Sequence, residues 1–123
     1  MSQIRFTENH EWVRVDGNVA TVGITDHAQK LLDDIVFVEF PELGMKFAQG
    51  DAFAVIESVK AAIDVYAPVS GTLTEVNPNL ADEPSLINEE PMDGGWLAKL
   101  TLNNPAELDA LLDQAGYDKM IAE

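Results

Sequence analysis

Short runs in which apolar and polar residues alternate recur along this chain, separated by glycine-bearing or polar breaks. Such alternation places one set of side chains on each face of a strand. Ile4-Arg5-Phe6 predicts a short strand, followed by the polar stretch Thr7 to Glu11. Trp12, Val13 and Val15 lead through Asp16-Gly17-Asn18 into Val19 to Ile24, the pattern of a hairpin closed by an Asp-Gly turn. The clearest alternation surrounds Lys60. Before it, Phe53, Val55, Glu57 and Val59 alternate with Ala54, Ile56 and Ser58. After it, Ile63, Val65 and Ala67 alternate with Ala62, Asp64 and Tyr66. Two strands about a short break predict a second hairpin, with Lys60 at or beside its tip.

Helical periodicity occurs in two places. Thr25 caps a helix expected near residues 26–34, with Ala28, Leu31, Leu32 and Ile35 on its buried face. Asn104-Pro105-Ala-Glu107 reads as a second helix start, for a helix near 105–115 that buries Leu108, Leu111, Leu112 and Ala115. Gly116 is expected to stop it, with Tyr117 to Ala122 adding a last turn, so that the C-terminal helical segment spans 105–122. Ile35 to Phe40 is β-branched and apolar, predicting a buried strand ended by Pro41, and Glu42 to Lys46 reads as a turn. Leu73 to Val76 and Trp96 to Leu102 predict further strands, separated by a loop from Asn77 to Asp93. Many short strands with frequent turn signals indicate a mainly β sandwich or barrel with small helices added. The hairpin core lies at about 50–76.

At 123 residues the chain is expected to form a single domain, 1–123, large enough for its own core. A hydrophobic content of 46% argues against disorder. No apolar run has the length of a membrane span, and Met1-Ser-Gln-Ile-Arg5 lacks a signal-peptide pattern, so a cytoplasmic product is expected. There is no cysteine, which removes thiol nucleophiles, disulfides and thiolate metal sites. The net charge of −15 argues against nucleic acid or an anionic membrane as partner. It suits partners with basic docking faces and cationic cargo; acidity that only maintains solubility is an equal alternative.

An exposed turn lysine is ordinary by itself. Here, however, Glu57-Ser-Val-Lys60-Ala61 stands with Gly44 sixteen residues before the lysine and Gly71 eleven after it. That run resembles the lipoate-attachment hairpin. Val59 and Ala61 replace the methionines usual in biotin carriers, and Val59 replaces the acid usual in acyltransferase lipoyl domains. Further landmarks follow in order: His10-Glu11-Trp12-Val13, Gly23 to Gln29, Val36 to Glu39, Gly95-Trp96-Leu97 and the Tyr117-Asp-Lys-Met-Ile121 tail. Together they are most similar to the H proteins of the glycine cleavage system.

The resemblance implies a barrel-sandwich hybrid of two antiparallel sheets with the lysine on an exposed hairpin. It implies a non-catalytic carrier whose lipoic acid is amide-linked to Lys60. The arm would take an aminomethyl group from glycine decarboxylase, a pyridoxal-phosphate enzyme, to a tetrahydrofolate-dependent aminomethyltransferase. Dihydrolipoamide dehydrogenase would then reoxidise it, and a lipoate ligase or lipoyl transferase would install it. Glu11 and Asp64 match the family's acidic cleft residues and would pair the cargo ammonium. Asn9, a further polar contact of that cleft, stands where many members have serine, and Glu57 would help the lipoylating enzyme recognise the hairpin; a solvated surface carboxylate is the plain alternative for Glu11 and Asp64, a cross-strand or solvent-facing charge for Glu57. Ile63 and Met92 depart from the family pattern, at a cleft wall and a docking loop respectively. His10 and His27 read as structural, Trp12 and Trp96 as core or cleft wall. No catalytic base or metal site is assigned, and a monomer is expected, since a shuttle must leave its surface free. Two other readings remain: a lipoate-relay relative outside glycine cleavage, and an unmodified docking module.

Overall fold

A computed structural model describes residues 3–122. These form nine strands: β1 (Gln3–Phe6), β2 (Glu11–Asp16), β3 (Val19–Ile24), β4 (Ile35–Glu39), β5 (Lys46–Phe47), β6 (Ala52–Ser58), β7 (Ala62–Tyr66), β8 (Gly71–Val76) and β9 (Ala98–Leu102). Three helices accompany them: α1 (Asp26–Leu32), α2 (Leu86–Glu89) and α3 (Gln114–Ile121). The strands build two open antiparallel sheets, one in the order β1-β2-β3-β9-β8-β5 and the other β4-β6-β7. Their facing side chains make one core. Val13, Val22, Leu73 and Leu100 come from the larger sheet, and Val38, Ile56 and Val65 from the smaller. This is the mainly β, two-sheet architecture expected.

The first hairpin closes through Gly17, whose φ of 65° suits glycine, with Asp16 paired to Val19. Across the same hairpin Trp12 lies opposite Gly23. A Cβ on Gly23 would stand 2.6 Å from the indole, so only glycine admits the ring there. The indole N–H donates to the carbonyls of Ile24 and Pro91 at 3.0 and 2.9 Å. This end of the sheet is buried on both sides. Val13 and Val15 enter the main core, while Trp12 packs with Phe6 and Tyr117 beneath α3. The Phe6 and Tyr117 rings stack at 4.6 Å.

Three local expectations are corrected. The first concerns α1, which is only two turns long. Ala28 and Leu32, four apart, cover its inner side, and Leu31 remains 60% exposed. The second is β4, which is not buried throughout. A register shift between Ile35 and Phe37 turns Val36 and Phe37 outward, leaving only Ile35 and Val38 inside. The third is the C-terminal helix near 105–115, which is replaced by two pieces. Asn104 caps a 3₁₀ turn over Pro105–Ala110, and Leu111 is then extended. Leu112 exchanges both backbone hydrogen bonds with Phe6, at 2.8 and 2.9 Å, covering the open edge of β1. Asp113 starts α3 by accepting from the Gly116 N–H, so Gly116 lies inside a helix rather than ending one. Tyr117, not Ala115, fills the interior. The loop from Asn77 also contains a 3₁₀ turn, Pro78–Leu80, and α2, which bury Leu80 and Ile87.

Candidate functional site at the β6–β7 tip

Residues 59–61 join β6 to β7 with no glycine and no positive φ among them. Ser58 closes the turn. Its N–H donates to the Ala61 carbonyl at 2.8 Å, and its Oγ accepts from the N–H groups of Lys60 and Ala61 at 3.2 Å each. The Val59 N–H donates to the Asp34 carbonyl at 3.0 Å, which ties the tip to the loop before β4. That loop is itself held. Asn88 of α2 accepts from the Ile35 N–H at 2.9 Å and donates to the Asp33 carbonyl at 2.7 Å and to Gln29 at 3.0 Å. The hydrogen bonds consume backbone groups and one hydroxyl, leaving the lysine side chain outside.

Lys60 Nζ lies 3.1 Å from Asp33 Oδ2, and the two side chains are 60% and 54% exposed. Asp33 has a φ of 60°, an uncommon conformation for a non-glycine residue, and it ends α1. An ion pair this open contributes little, about 0–1 kcal/mol, and yields readily to a competing partner. The site therefore offers a primary amine on a fixed base, lightly held by one solvated carboxylate. Its amine is reachable for acylation without local unfolding.

The other predicted residues come from several elements: Glu57 from β6, Asp64 from β7, Glu11 from β2 and Asn9 from the turn before β2. Glu57 lies across from Ala62, one residue before Ser58, and faces outward beside Phe37. Asp64 is exposed on the same face, opposite Val55. Glu11 differs from a solvated carboxylate, being 2% exposed. It accepts the Thr7 hydroxyl at 2.8 Å and the Tyr66 N–H at 2.7 Å, so it joins the two sheets at the end of β7 away from Lys60. Burial raises its pKa, while the bonds from Tyr66 and Thr7 pull the other way. Asn9 is exposed and reaches this corner through its backbone N–H, which donates to Thr7 Oγ1 at 3.2 Å. The structure thus groups Glu11 with Thr7 and Asn9, and Lys60 with Ser58 and Asp33. Asp64 lies between the groups.

Ile63 is partly buried and packs against the main core opposite Ile56. Met92 packs against the aromatic cluster, and its carbonyl accepts from Arg14 at 2.9 Å. His10 Nδ1 lies 2.9 Å from the Tyr117 hydroxyl, which is 2.6 Å from Thr25 Oγ1. Burial, then the neighbouring His27, lowers the His10 pKa. Asp33, Asn88 and Thr7 had no sequence signal of their own, since their partners lie in distant segments or their role depends on a particular turn.

The family model for the glycine cleavage H-protein matches residues 4–123. The chain belongs to the glycine cleavage H-protein family. The Glycine cleavage system H protein of Phenylobacterium zucineum is 57% identical, the alignment covering 97% of this chain and 98% of that one. Glycine cleavage system H protein 2 of Pseudomonas putida is 58% identical, over 99% and 96%. The crystal structure of a glycine cleavage system H protein from Mycobacterium marinum superposes with a TM-score of 0.89 at 31% identity, covering 98% of each chain. The open two-sheet architecture is therefore that of the family.

Two outcomes are expected. Asn88→Ala removes both hydrogen bonds that hold the 33–35 loop and should cost about 1–3 kcal/mol in denaturant unfolding. It should also speed hydrogen exchange at the Ile35 and Val59 amides; unchanged protection at both would contradict the strut. For Glu11, the raised folded pKa means the native state binds this proton more tightly than the unfolded chain, whose value is near 4.5. Its ionisation therefore removes stability as pH rises through the window between the two values. Glu11→Gln should gain in stability relative to wild type across that window on going from acid to neutral pH. A flat difference would contradict the assignment.

Proposed function

We propose that this protein is the lipoyl carrier of a glycine cleavage system, with lipoic acid amide-linked to Lys60 Nζ. Lys60 carries the reading: in a chain that the family model matches over residues 4–123, it is the residue presented at a hydrogen-bonded hairpin tip. The group, when attached, supplies a disulfide that can accept an aminomethyl group and then be reoxidised. The chain has no cysteine, so no thiol of its own competes with that sulfur.

What the protein contributes is placement. The tip amine is outside the packed body and open to the lipoate ligase or lipoyl transferase. Amide formation removes the lysine charge and leaves the Asp33 carboxylate unpaired there. Tethering a group to one fixed lysine raises its effective concentration at each docked enzyme. Those enzymes are glycine decarboxylase, the tetrahydrofolate-dependent aminomethyltransferase and dihydrolipoamide dehydrogenase. Asp64, exposed, and Glu11, fixed behind β7 by two donors, supply negative charge for the ammonium of the cargo, with Asn9 at the same corner as Glu11. Glu57 marks the hairpin for the attaching enzyme. No catalytic base is required of the carrier. It works as a cytoplasmic monomer, one surface serving successive partners.

Purified glycine decarboxylase with the lipoylated protein tests this reading through exchange of the glycine carboxyl with bicarbonate. Exchange should rise at least about tenfold over the decarboxylase alone, a difference of about 1.4 kcal/mol in effective barrier, and Lys60→Arg should abolish the rise. No stimulation by fully lipoylated protein would overturn the glycine-cleavage role.

A further inference from the structure

The outer face of the β4-β6-β7 sheet has an unmatched composition. Register places Phe37, Glu57 and Ala62 in one row across the three strands, and Glu39, Val55 and Asp64 in the next. Residues two apart on a strand share a face, so these six side chains form one surface. Val38, Ile56 and Val65 occupy the opposite face and are buried. Phe37 is 51% exposed beside Glu57. Among the described residues, none of the three carboxylates is paired with a cation. A shallow depression of about 230 Å³ lies along the second row, with Glu39 and Asp64 at its rim and Phe40 and Val55 among its lining. Lys60 and the exposed Val59 stand at one end of the face.

We propose that this sheet face is the docking surface of the enzyme that attaches lipoate, and that the enzyme meets it with an apolar patch for Phe37 flanked by lysine or arginine side chains. The inference rests on lipoylation at Lys60. Attachment occurs at Nζ itself, so the attaching enzyme must cover the base of the arm. Enzymes that act at its far end have no such requirement. A protein interface takes about 800 Å² from each partner. At about 3.3 Å per residue along a strand and about 4.8 Å between strands, both rows lie within such a footprint of the tip. Charge selects the partner. A second copy of this chain would oppose three carboxylates with three carboxylates, whereas basic side chains complement them. One long cationic side chain fits the depression, its stem on Val55 and its head between Glu39 and Asp64.

Initial rates of mass addition at Lys60, with a purified lipoate ligase, lipoate and ATP, test the surface as acceptor concentration is varied. Phe37→Ser and Glu39→Gln should each raise KM for the acceptor, Phe37→Ser by about tenfold, with kcat little changed. The triple variant E39Q/E57Q/D64N should raise KM further and flatten its dependence on salt. A control triple on exposed carboxylates elsewhere, D16N/D82N/D109N, should retain the wild-type KM. If wild type is modified but the face variants match it in KM and salt dependence, the docking surface is refuted while lipoylation stands. Unchanged KM together with a halved mass of the Phe37→Ser variant in sedimentation would assign the face to a second copy instead, also refuting it. Wild type that takes no lipoate at Lys60 removes both this surface and the reading beneath it.

Discussion

The Ser58 turn fixes the β6–β7 hairpin tip while leaving the Lys60 side chain free. The serine N–H and hydroxyl close the loop on Lys60 and Ala61 backbone groups, and the Val59 N–H ties it to Asp34. Every one of these bonds uses main chain or Ser58. The ammonium pairs, among the described residues, with Asp33, and that pair is too solvated to hold it strongly. Rigidity in the turn and freedom in the side chain therefore come from different atoms and need not be traded against each other.

That turn is supported from the other parts of the fold. Asn88 on α2 bonds both sides of the loop that receives Val59, so the large connection between β8 and β9 acts on the tip. Glu11 plays a comparable part at the far end of β7, bonding the Tyr66 N–H from the opposite sheet. Trp12, Phe6 and Tyr117 anchor the corner behind Glu11, with Gly23 leaving room for the indole. The smaller sheet is thus held at both ends. Its inner face forms core, and its outer face stays available.

Alternation exposed the β6–β7 hairpin in the sequence because one face of each strand is buried and the other is not. Lys60 could be placed at its tip for the same reason. The pattern misled where local preference met a competing tertiary contact. Asn104-Pro105 and the following leucines resemble one helix, but Leu112 pairs with the otherwise open edge of β1, and that pairing requires extended backbone. The apolar run of β4 reads as a buried strand, yet Phe37 stands 51% exposed on the outer side of its sheet. Leu31 fits helical periodicity but lies outside the narrow contact of a two-turn helix. In the site, Glu57 and Asp64 were legible as strand residues near the lysine. The burial of Glu11 was not, because it depends on Thr7 and Tyr66, which reach it only in the folded chain. Asn88 was invisible for the same reason.

Attachment of lipoate at Lys60 is read from the mass of the protein. Protein produced with lipoate and a lipoylating enzyme should gain a single lipoyl mass, located by peptide mapping at Lys60 and absent from Lys60→Arg. An unmodified Lys60, in a tube where a known lipoyl domain is fully modified, would contradict the account. The hairpin would then be a fixed tip put to some other use.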